Sequence, residues 1–225
     1  SAALAFMRRG LDVRIIDRGE LASGASSRNA GFLMRGCADH YADACRLYGR
    51  DRAAELWRLT EENVQALRLE GATALDSFRD IPSTLLALDD AQAAELRTAA
   101  DMLIEDGFAV HWRTQGTDVA WYSGLAKAGL VNPGDASVNS WELMNLLARK
   151  LDNGIEQHQE VHAIEPASDS VRIRTPDFDF RAKRVLVCTN AYGPLLLPSL
   201  ATLITPRRGQ MIAFITEQVQ HAVPA

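Results

Sequence analysis

Asp17 stands at the end of a stretch that reads as a short buried strand, Val13 to Ile16, and after Arg18 comes a Gly-, Ala- and Ser-rich turn, GELASGAS. Then come a polar triplet, Ser27-Arg28-Asn29, and a small-residue step, Ala30-Gly31. A carboxylate at the C-terminal end of a buried strand can accept hydrogen bonds from both hydroxyls of a ribose. Small residues beyond it let backbone N–H groups approach a phosphate closely, and Arg28 adds charge to such a cradle. The same residues also suit a surface loop after an ordinary αβ unit. On these residues alone the two readings stand level.

Positioning Asp17 falls to a helix and a strand. Ser1 to Arg9 has helical spacing, with Ala2, Ala3, Leu4, Ala5, Phe6 and Met7 apolar. Gly10 ends it, because a glycine just past a helix takes the left-handed conformation at little cost. Helix, glycine, strand and acid make the second and third parts of a βαβ dinucleotide unit. The first part, a strand with a G-x-G-x-x-G turn, is expected just upstream of Ser1, which would place Asp17 about 20 residues beyond the glycines. The chain is therefore expected to be a fragment, or to start late.

Further on, Tyr41 to Glu70 is charged and alanine-rich, and Leu47, Ala54, Trp57, Val64 and Leu67 are spaced as one helical face. One or two surface helices are expected, their alternating Arg and Glu forming a solvated side. Leu75 to Leu88 reads as short strands broken by Pro82. Asp89 or Asp90 can cap a helix from Ala91 to about Asp106, closed by Gly107. Val110 to Tyr122 carries Trp112 and Trp121, read as core aromatics with a ligand wall as the alternative.

Gly129 to Gly154 is well punctuated. Asn132-Pro133-Gly134-Asp135 is turn chemistry, and Asn139 with Glu142 three residues on makes a capping-box-like helix start. Leu143, Leu146, Leu147 and Leu151 form an apolar stripe, stopped by Asn153-Gly154. Strands are expected at Ile155 to Ile164, at Val171 to Thr175 and, after a Pro176-Asp177 turn, at Phe178 to Ala182. Val185 to Cys188 is a continuous apolar run, the pattern of a strand buried on both faces, with Cys188 a packing residue. Thr189-Asn190-Ala191 follows at its C-terminal end, where ligands bind in open α/β sheets.

Composition narrows the class. The chain has 225 residues, 47% of them hydrophobic, enough for one large or two small domains. With 24 basic and 29 acidic residues its net charge is −5, which argues against a nucleic-acid-binding surface. Cys37, Cys45 and Cys188 form no CxxC pair, as in a protein with reduced thiols, and the N-terminus lacks a signal-peptide pattern, so a cytoplasmic location is expected. No apolar run is long enough to span a membrane. His158 and His162 have no ligand partners at metal-site spacing, so no metal is expected.

With these pieces in order, the chain resembles the D-amino-acid oxidase/glycine oxidase superfamily of FAD-dependent oxidoreductases, also called DadA-like or sarcosine-oxidase-like proteins. The resemblance rests on IIDRGELASGASSRNAGFL, GLVNPGDASVNSWELMNLLARKLDNG, EVHAIEP, RVLVCTNAYGPLLLP and ITPRRGQM. At position 140, where the family commonly has proline, this chain has Ser140. The resemblance implies that Asp17 holds the adenosine ribose with Arg18 beside it. It implies that Ala25, Ser26, Ser27, Arg28, Asn29, Ala30 and Gly31 wrap the pyrophosphate and the flavin side of FAD, that Val161 offers its backbone to the adenine, and that Thr189 and Asn190 flank the nucleotide. A core-strand role for Val161 remains the alternative. Arg35 follows the loop and could face a substrate carboxylate; a surface or structural arginine is equally open, and the catalytic residues are otherwise unknown.

The implied architecture is α/β: a Rossmann-like FAD-binding domain with an antiparallel β insert, made of residues 1–36 and 131–198, plus a partial α+β substrate domain of residues 37–130 and 199–225. The implied activity is FAD-dependent oxidation of the C–N bond of a small amine or amino acid, by hydride transfer to the flavin. The chain by itself, without the glycine-rich turn and the C-terminal part, is expected to be inactive. Two other readings are a truncated non-catalytic fragment of such an enzyme and an NAD-dependent Rossmann dehydrogenase. The antiparallel insert and the GASSRNAG loop disfavour the latter. The oligomeric state is not legible.

Overall fold

The computed structural model describes residues 2–114, 126–151, 154–207 and 209. The expectations for Trp121, Asn153 and Met211, and most of the 199–225 stretch, lie outside the described residues. In chain order the elements are α1 (Ala2–Met7), β1 (Ile15–Ile16), β2 (Phe32–Leu33), α2 (Tyr41–Tyr48), α3 (Arg50–Leu69), β3 (Ser83–Ala87), α4 (Asp90–Glu105) and β4 (His111–Thr114). They continue with β5 (Ala128–Asn132), β6 (Ala136–Ser137), α5 (Ser140–Ala148), β7 (Ile155–Glu156), β8 (Ala163–Pro166), β9 (Val171–Arg174), β10 (Asp179–Ala182) and α6 (Gly193–Leu196). Among the described residues the chain forms two compact units, one from 2–26 and 147–209, the other from 27–146. Compactness thus divides the chain elsewhere than at the boundaries 36/37 and 130/131 expected from the sequence. The reason is hydrogen bonding inside the second unit: β2 pairs antiparallel with β6, and Arg35 N–H donates to Asp135 Oδ1 at 3.0 Å.

In the first unit α1 ends as its glycine demands. Gly10 has φ +75°, and its N–H donates to Met7 O at 2.9 Å. β1 pairs in parallel with β7, Ile15 opposite Ile155 and Ile16 opposite Glu156. The antiparallel insert is a three-stranded sheet in the order β10-β9-β8. Its alternation is that of a half-covered sheet: Ile173 is buried, while Arg172 and Arg174 on the other face are exposed and pair with Asp179 and Glu165.

Two strand expectations in this unit are corrected. Ile155 to Ile164 is not one strand; it is split into β7 and β8, with His158 at φ +59° between them. Val185 to Cys188 forms no ladder, and Val185, Leu186 and Cys188 are exposed. An apolar run becomes a strand only when a neighbour takes its backbone groups, and none of the described residues does so.

In the second unit, α2 and α3 are separated by Gly49 at φ +87°. That break redirects the chain, so the expected single face does not persist. Ala54, Trp57, Val64 and Leu67 are buried, whereas Leu47, before the break, is 65% exposed. Asp89 caps α4, its side chain accepting from Gln92 N–H at 2.8 Å, and Gly107 at φ +85° closes the turn after it. Only Ser83–Ala87 of the expected Leu75 to Leu88 strands forms; β3 and β4 flank β5 in an antiparallel sheet. The core gathers Tyr41, Trp57, Leu103, Phe108 and Leu130, with Trp112 packed against it. Tyr41 meets Trp57 edge-on at 4.9 Å between ring centroids.

Tyr41 O–H donates to Asp106 Oδ2 at 2.5 Å, and Arg50 Nε donates to the same carboxylate at 3.0 Å. Those bonds, Arg50 first and Tyr41 second, hold the Asp106 carboxyl below its usual range. Burial, reinforced by Asp106, pushes the Tyr41 phenol up. Among the described residues no helix is long and apolar enough to cross a membrane, and no cluster of His, Cys, Asp or Glu could hold a metal ion. All three cysteines are free.

Candidate functional site

Asp17 follows β1 directly, and its backbone is fixed on both sides. Its N–H donates to Glu156 O at 2.9 Å, and its C=O accepts from Gln159 N–H at 2.9 Å. Regular parallel pairing would return that second bond from residue 158. It comes one residue later because the left-handed His158 inserts a bulge, and His158 N–H turns to Gly19 O instead. The Asp17 carboxylate folds the loop beyond: Oδ1 accepts from Gly19 N–H at 2.9 Å, an Asx turn. Leu21 N–H then donates to Gln157 Oε1. Asp17 is exposed, and among the described residues its Oδ2 has no partner.

The other expected nucleotide residues of this unit lie close to that loop. The Arg18 guanidinium stands over the Tyr192 ring, 4.9 Å from its centroid. Tyr192 ends the 3₁₀ turn Asn190–Tyr192, with Thr189 just before it. Asn190 opens the turn at φ +48°, and Tyr192 N–H donates to Thr189 O at 3.0 Å. Val161 is half-buried and lies outside any strand. Among the described residues neither its N–H nor its C=O has a hydrogen-bond partner, so the core-strand alternative is not what forms. An open backbone edge two residues beyond Gln159 has the donor–acceptor character that an adenine edge requires. Ala25 and Ser26 are exposed in the turn that closes this segment.

In the second unit, Ser27, Arg28, Asn29, Ala30 and Gly31 form a loop tied to the start of α5. Asn29 Oδ1 accepts from Gly31 N–H at 2.9 Å and from Ser140 Oγ–H at 2.7 Å. Gly31 is buried at φ +75°, and a Cβ there would sit 2.0 Å from Val138 O. Only glycine fits. Asn139 caps α5, its Oδ1 accepting from Trp141 N–H at 3.0 Å. The expected capping box is completed indirectly. Asn139 N–H donates to Ser77 Oγ at 3.0 Å, and Ser77 O–H donates to Glu142 Oε2 at 2.6 Å. Nothing in the pattern around Ser77 announces that bridge, which spans 62 residues of chain. Arg28 is exposed and has no partner among the described residues, which leaves its charge available to an anion.

Arg35 is placed differently. Its side chain is 6% exposed and pairs with Glu61 at 2.6 Å. It also donates to Asn132 Oδ1 at 2.7 Å and to Ala109 O at 3.1 Å, and lies 5.3 Å from the Phe108 ring centroid. Asp135, buried beside it, accepts from the Arg35 backbone and from Ser83 O–H. That geometry favours the structural arginine over one facing a substrate. The sequence signal for the network was the Asn132-Pro133-Gly134-Asp135 turn, read for its shape and not for its side chains.

No curated protein matches this chain. Solved structures do. A glycine oxidase from Geobacillus kaustophilus superposes with a TM-score of 0.64 at 22% identity, covering 82% of this chain and 50% of that one. An L-amino acid deaminase from Proteus vulgaris gives a TM-score of 0.69 at 16% identity, covering 88% and 46%. An L-proline dehydrogenase from P. horikoshii gives 0.65 at 17% identity, covering 86% and 50%. At such identities the likeness speaks for the fold, which is the expected α/β FAD-binding architecture with its antiparallel insert. The chain spans about half the length of these proteins. The family model of the FAD dependent oxidoreductases (DAO) matches residues 1–224. A match over nearly the whole sequence, on a fold shared with amino acid oxidases and deaminases, places this chain in the DAO family of FAD-dependent oxidoreductases.

Proposed function

We propose that this chain carries the nucleotide-holding part of an enzyme that oxidises the C–N bond of a small amine or amino acid. The observation that carries the reading is the half-used carboxylate of Asp17 at the end of β1, exposed and with one oxygen already fixing its own loop. Its second oxygen is the acceptor a ribose hydroxyl requires. Fixing the carboxylate through Gly19 N–H sets its orientation before a ligand arrives, so less ordering entropy is lost on binding.

The same reading gives the other residues their work. Val161 meets the adenine through its open backbone groups, Thr189 and Asn190 flank the nucleotide, and Arg18 braces the turn that carries them through Tyr192. The loop Ala25 to Gly31 wraps the pyrophosphate and the flavin side, with Arg28 supplying charge. FAD held by these residues would supply the redox chemistry, as the hydride acceptor for oxidation of the substrate carbon that bears nitrogen. The protein's own part is to bind, orient and exclude water. In this reading residues 1–36 and 131–198 serve the cofactor, and 37–130 with 199–225 serve the substrate. The name of the Geobacillus kaustophilus protein, glycine oxidase, supports an amino acid substrate; a cytoplasmic location belongs to the same proposal. The NAD-dependent alternative loses its ground, because the family is FAD-dependent.

The test is Asp17→Ala in the intact protein. Loss of a hydrogen bond to a charged group should weaken FAD binding by roughly 1.5–3 kcal/mol, with turnover at saturating FAD nearly unchanged. Fluorescence-quenching titration of the apo-protein reads the affinity. Equal affinity in variant and wild type would return Asp17 to a surface loop, and a colourless folded protein that binds NAD would overturn the cofactor as well.

A further inference from the structure

Gln159 is one of the few buried polar residues among the described residues, and Thr175 is another. Its side chain is satisfied at both ends. Gln159 Nε2 donates to Asp177 Oδ2 at 2.9 Å, and Oε1 accepts from Thr175 Oγ–H at 2.7 Å. The Thr175 hydroxyl has one proton and two acceptors in reach, Gln159 Oε1 at 2.7 Å and Phe178 O at 2.9 Å. Phe178 O is also held by Thr175 N–H at 3.0 Å, so the proton serves Gln159 Oε1, which can only accept and sits nearer. Both partners sit in the turn between β9 and β10. The Gln159 backbone N–H meanwhile holds Asp17 O at 2.9 Å. One residue therefore joins the β9–β10 turn to the residue that ends β1. The left-handed His158 just before it makes the bulge that brings residue 159, not 158, to Asp17.

We infer that Gln159 is a positioning residue for the adenosine end of FAD, fixing the ribose acid Asp17 and the open backbone of Val161 against the β9–β10 turn. The inference rests on the reading of Asp17 and Val161 given above. Its physical basis is that a buried amide tolerates neither an apolar nor a charged replacement. Removing it leaves the Asp177 carboxylate and the Thr175 hydroxyl without their partner, and the 159–161 segment is then free to shift relative to Asp17. An error of under an ångström between two binding groups lowers affinity for the molecule that bridges them and for no other.

The experiment uses the intact protein and three probes: FAD, ADP as its adenosine half, and FMN as its flavin half. Gln159→Leu should weaken FAD and ADP by about tenfold each and leave FMN unchanged. Unchanged FAD and ADP affinities, or an equal loss for FMN, would overturn the inference. Where Gln159→Leu does not fold, Gln159→Glu and its combination with Asp177→Asn decide. The single change sets carboxylate against carboxylate and should weaken ADP; the double change restores a donor opposite an acceptor and should bring ADP back to within about twofold. Failure of the double variant to recover overturns the inference equally. Asp17→Ala in the same titrations separates this inference from its foundation. If it leaves FAD and ADP untouched, the reading of the site fails. If it weakens both while Gln159→Leu weakens neither, only the role of Gln159 fails.

Discussion

Arg35 and Asp17 are both charged, both come just after a short strand, and both were candidates for binding. The structure separates them. Arg35 is enclosed and hydrogen-bonded to Glu61, Asn132 and Ala109 O. Asp17 is exposed, uses one carboxylate oxygen on its own loop and leaves the other without a partner among the described residues. The Arg35 guanidinium is paired through its terminal nitrogens, and its buried Nε has no hydrogen-bond partner among the described residues. A charge so enclosed has little left to offer a ligand, and its desolvation is balanced only by the groups around it. A charge held in place but only half used retains binding capacity. The contrast supports reading Arg35 as a structural residue and, as proposed above, Asp17 as a recognition residue.

Substitutions at four positions break or sharpen that contrast. The largest effect is expected for Gly31→Ala, at the packed end. A methyl group 2.0 Å from Val138 O, on a backbone at φ +75°, forces that strand connection apart. We expect a loss of about 4 kcal/mol, read as the midpoint of urea unfolding. A wild-type midpoint would mean that the Gly31 loop yields freely and belongs with Asp17 on the adaptable side.

Arg35→Ala comes next. Removing one partner of an enclosed ion pair should cost about 3 kcal/mol, at the low end of the range because Glu61 is partly exposed and regains water. Arg35→Lys should recover little, since an ammonium cannot reproduce the fork that reaches three acceptors. Should Arg35→Ala unfold as the wild type does but lose affinity for substrate, the contrast collapses and Arg35 faces the substrate after all.

A smaller effect sits at Asp106, satisfied like Arg35 but nearer the surface. Its carboxyl is held below its usual range by Arg50 and Tyr41. A depressed folded-state value adds stability that is complete above the unfolded carboxylate value of about 4 and is lost as pH falls through the lower folded value. Asp106→Asn should therefore cost on the order of 1 kcal/mol at neutral pH and flatten the decline below about pH 4. Parallel acid-unfolding curves for variant and wild type would show that the Arg50–Asp106–Tyr41 contacts do not stabilise the fold. At the bottom of the scale, Asp17→Ala should change unfolding by no more than about 0.5 kcal/mol while altering FAD affinity. A large stability loss there would erase the distinction between the two residues.

What the sequence determined by itself was short-range. Gly10 ending α1, Gly107 closing the turn after α4, Asp89 capping α4 and Asn139 capping α5 were all legible. Caps and left-handed turns are settled between residues a few positions apart, so the pattern contains both partners. Asp17 at the end of a short strand belonged to that class too. The family resemblance, carried by whole segments, gave the fold class and the cofactor before any side chain was placed.

What only the tertiary structure decided was every feature whose partner lies far along the chain. Arg35 could not be read as structural without Asn132, 97 residues away. The capping box of α5 could not be read as bridged without Ser77. Gln159 could not be read as a link without Asp177 and Thr175, 18 and 16 residues away. The apolar run Val185 to Cys188 shows the reverse failure, since hydrophobicity marked a strand that the described residues do not pair. A ladder and a buried hydrogen bond each need two partners brought together by the fold, and a linear pattern records only one of them at a time.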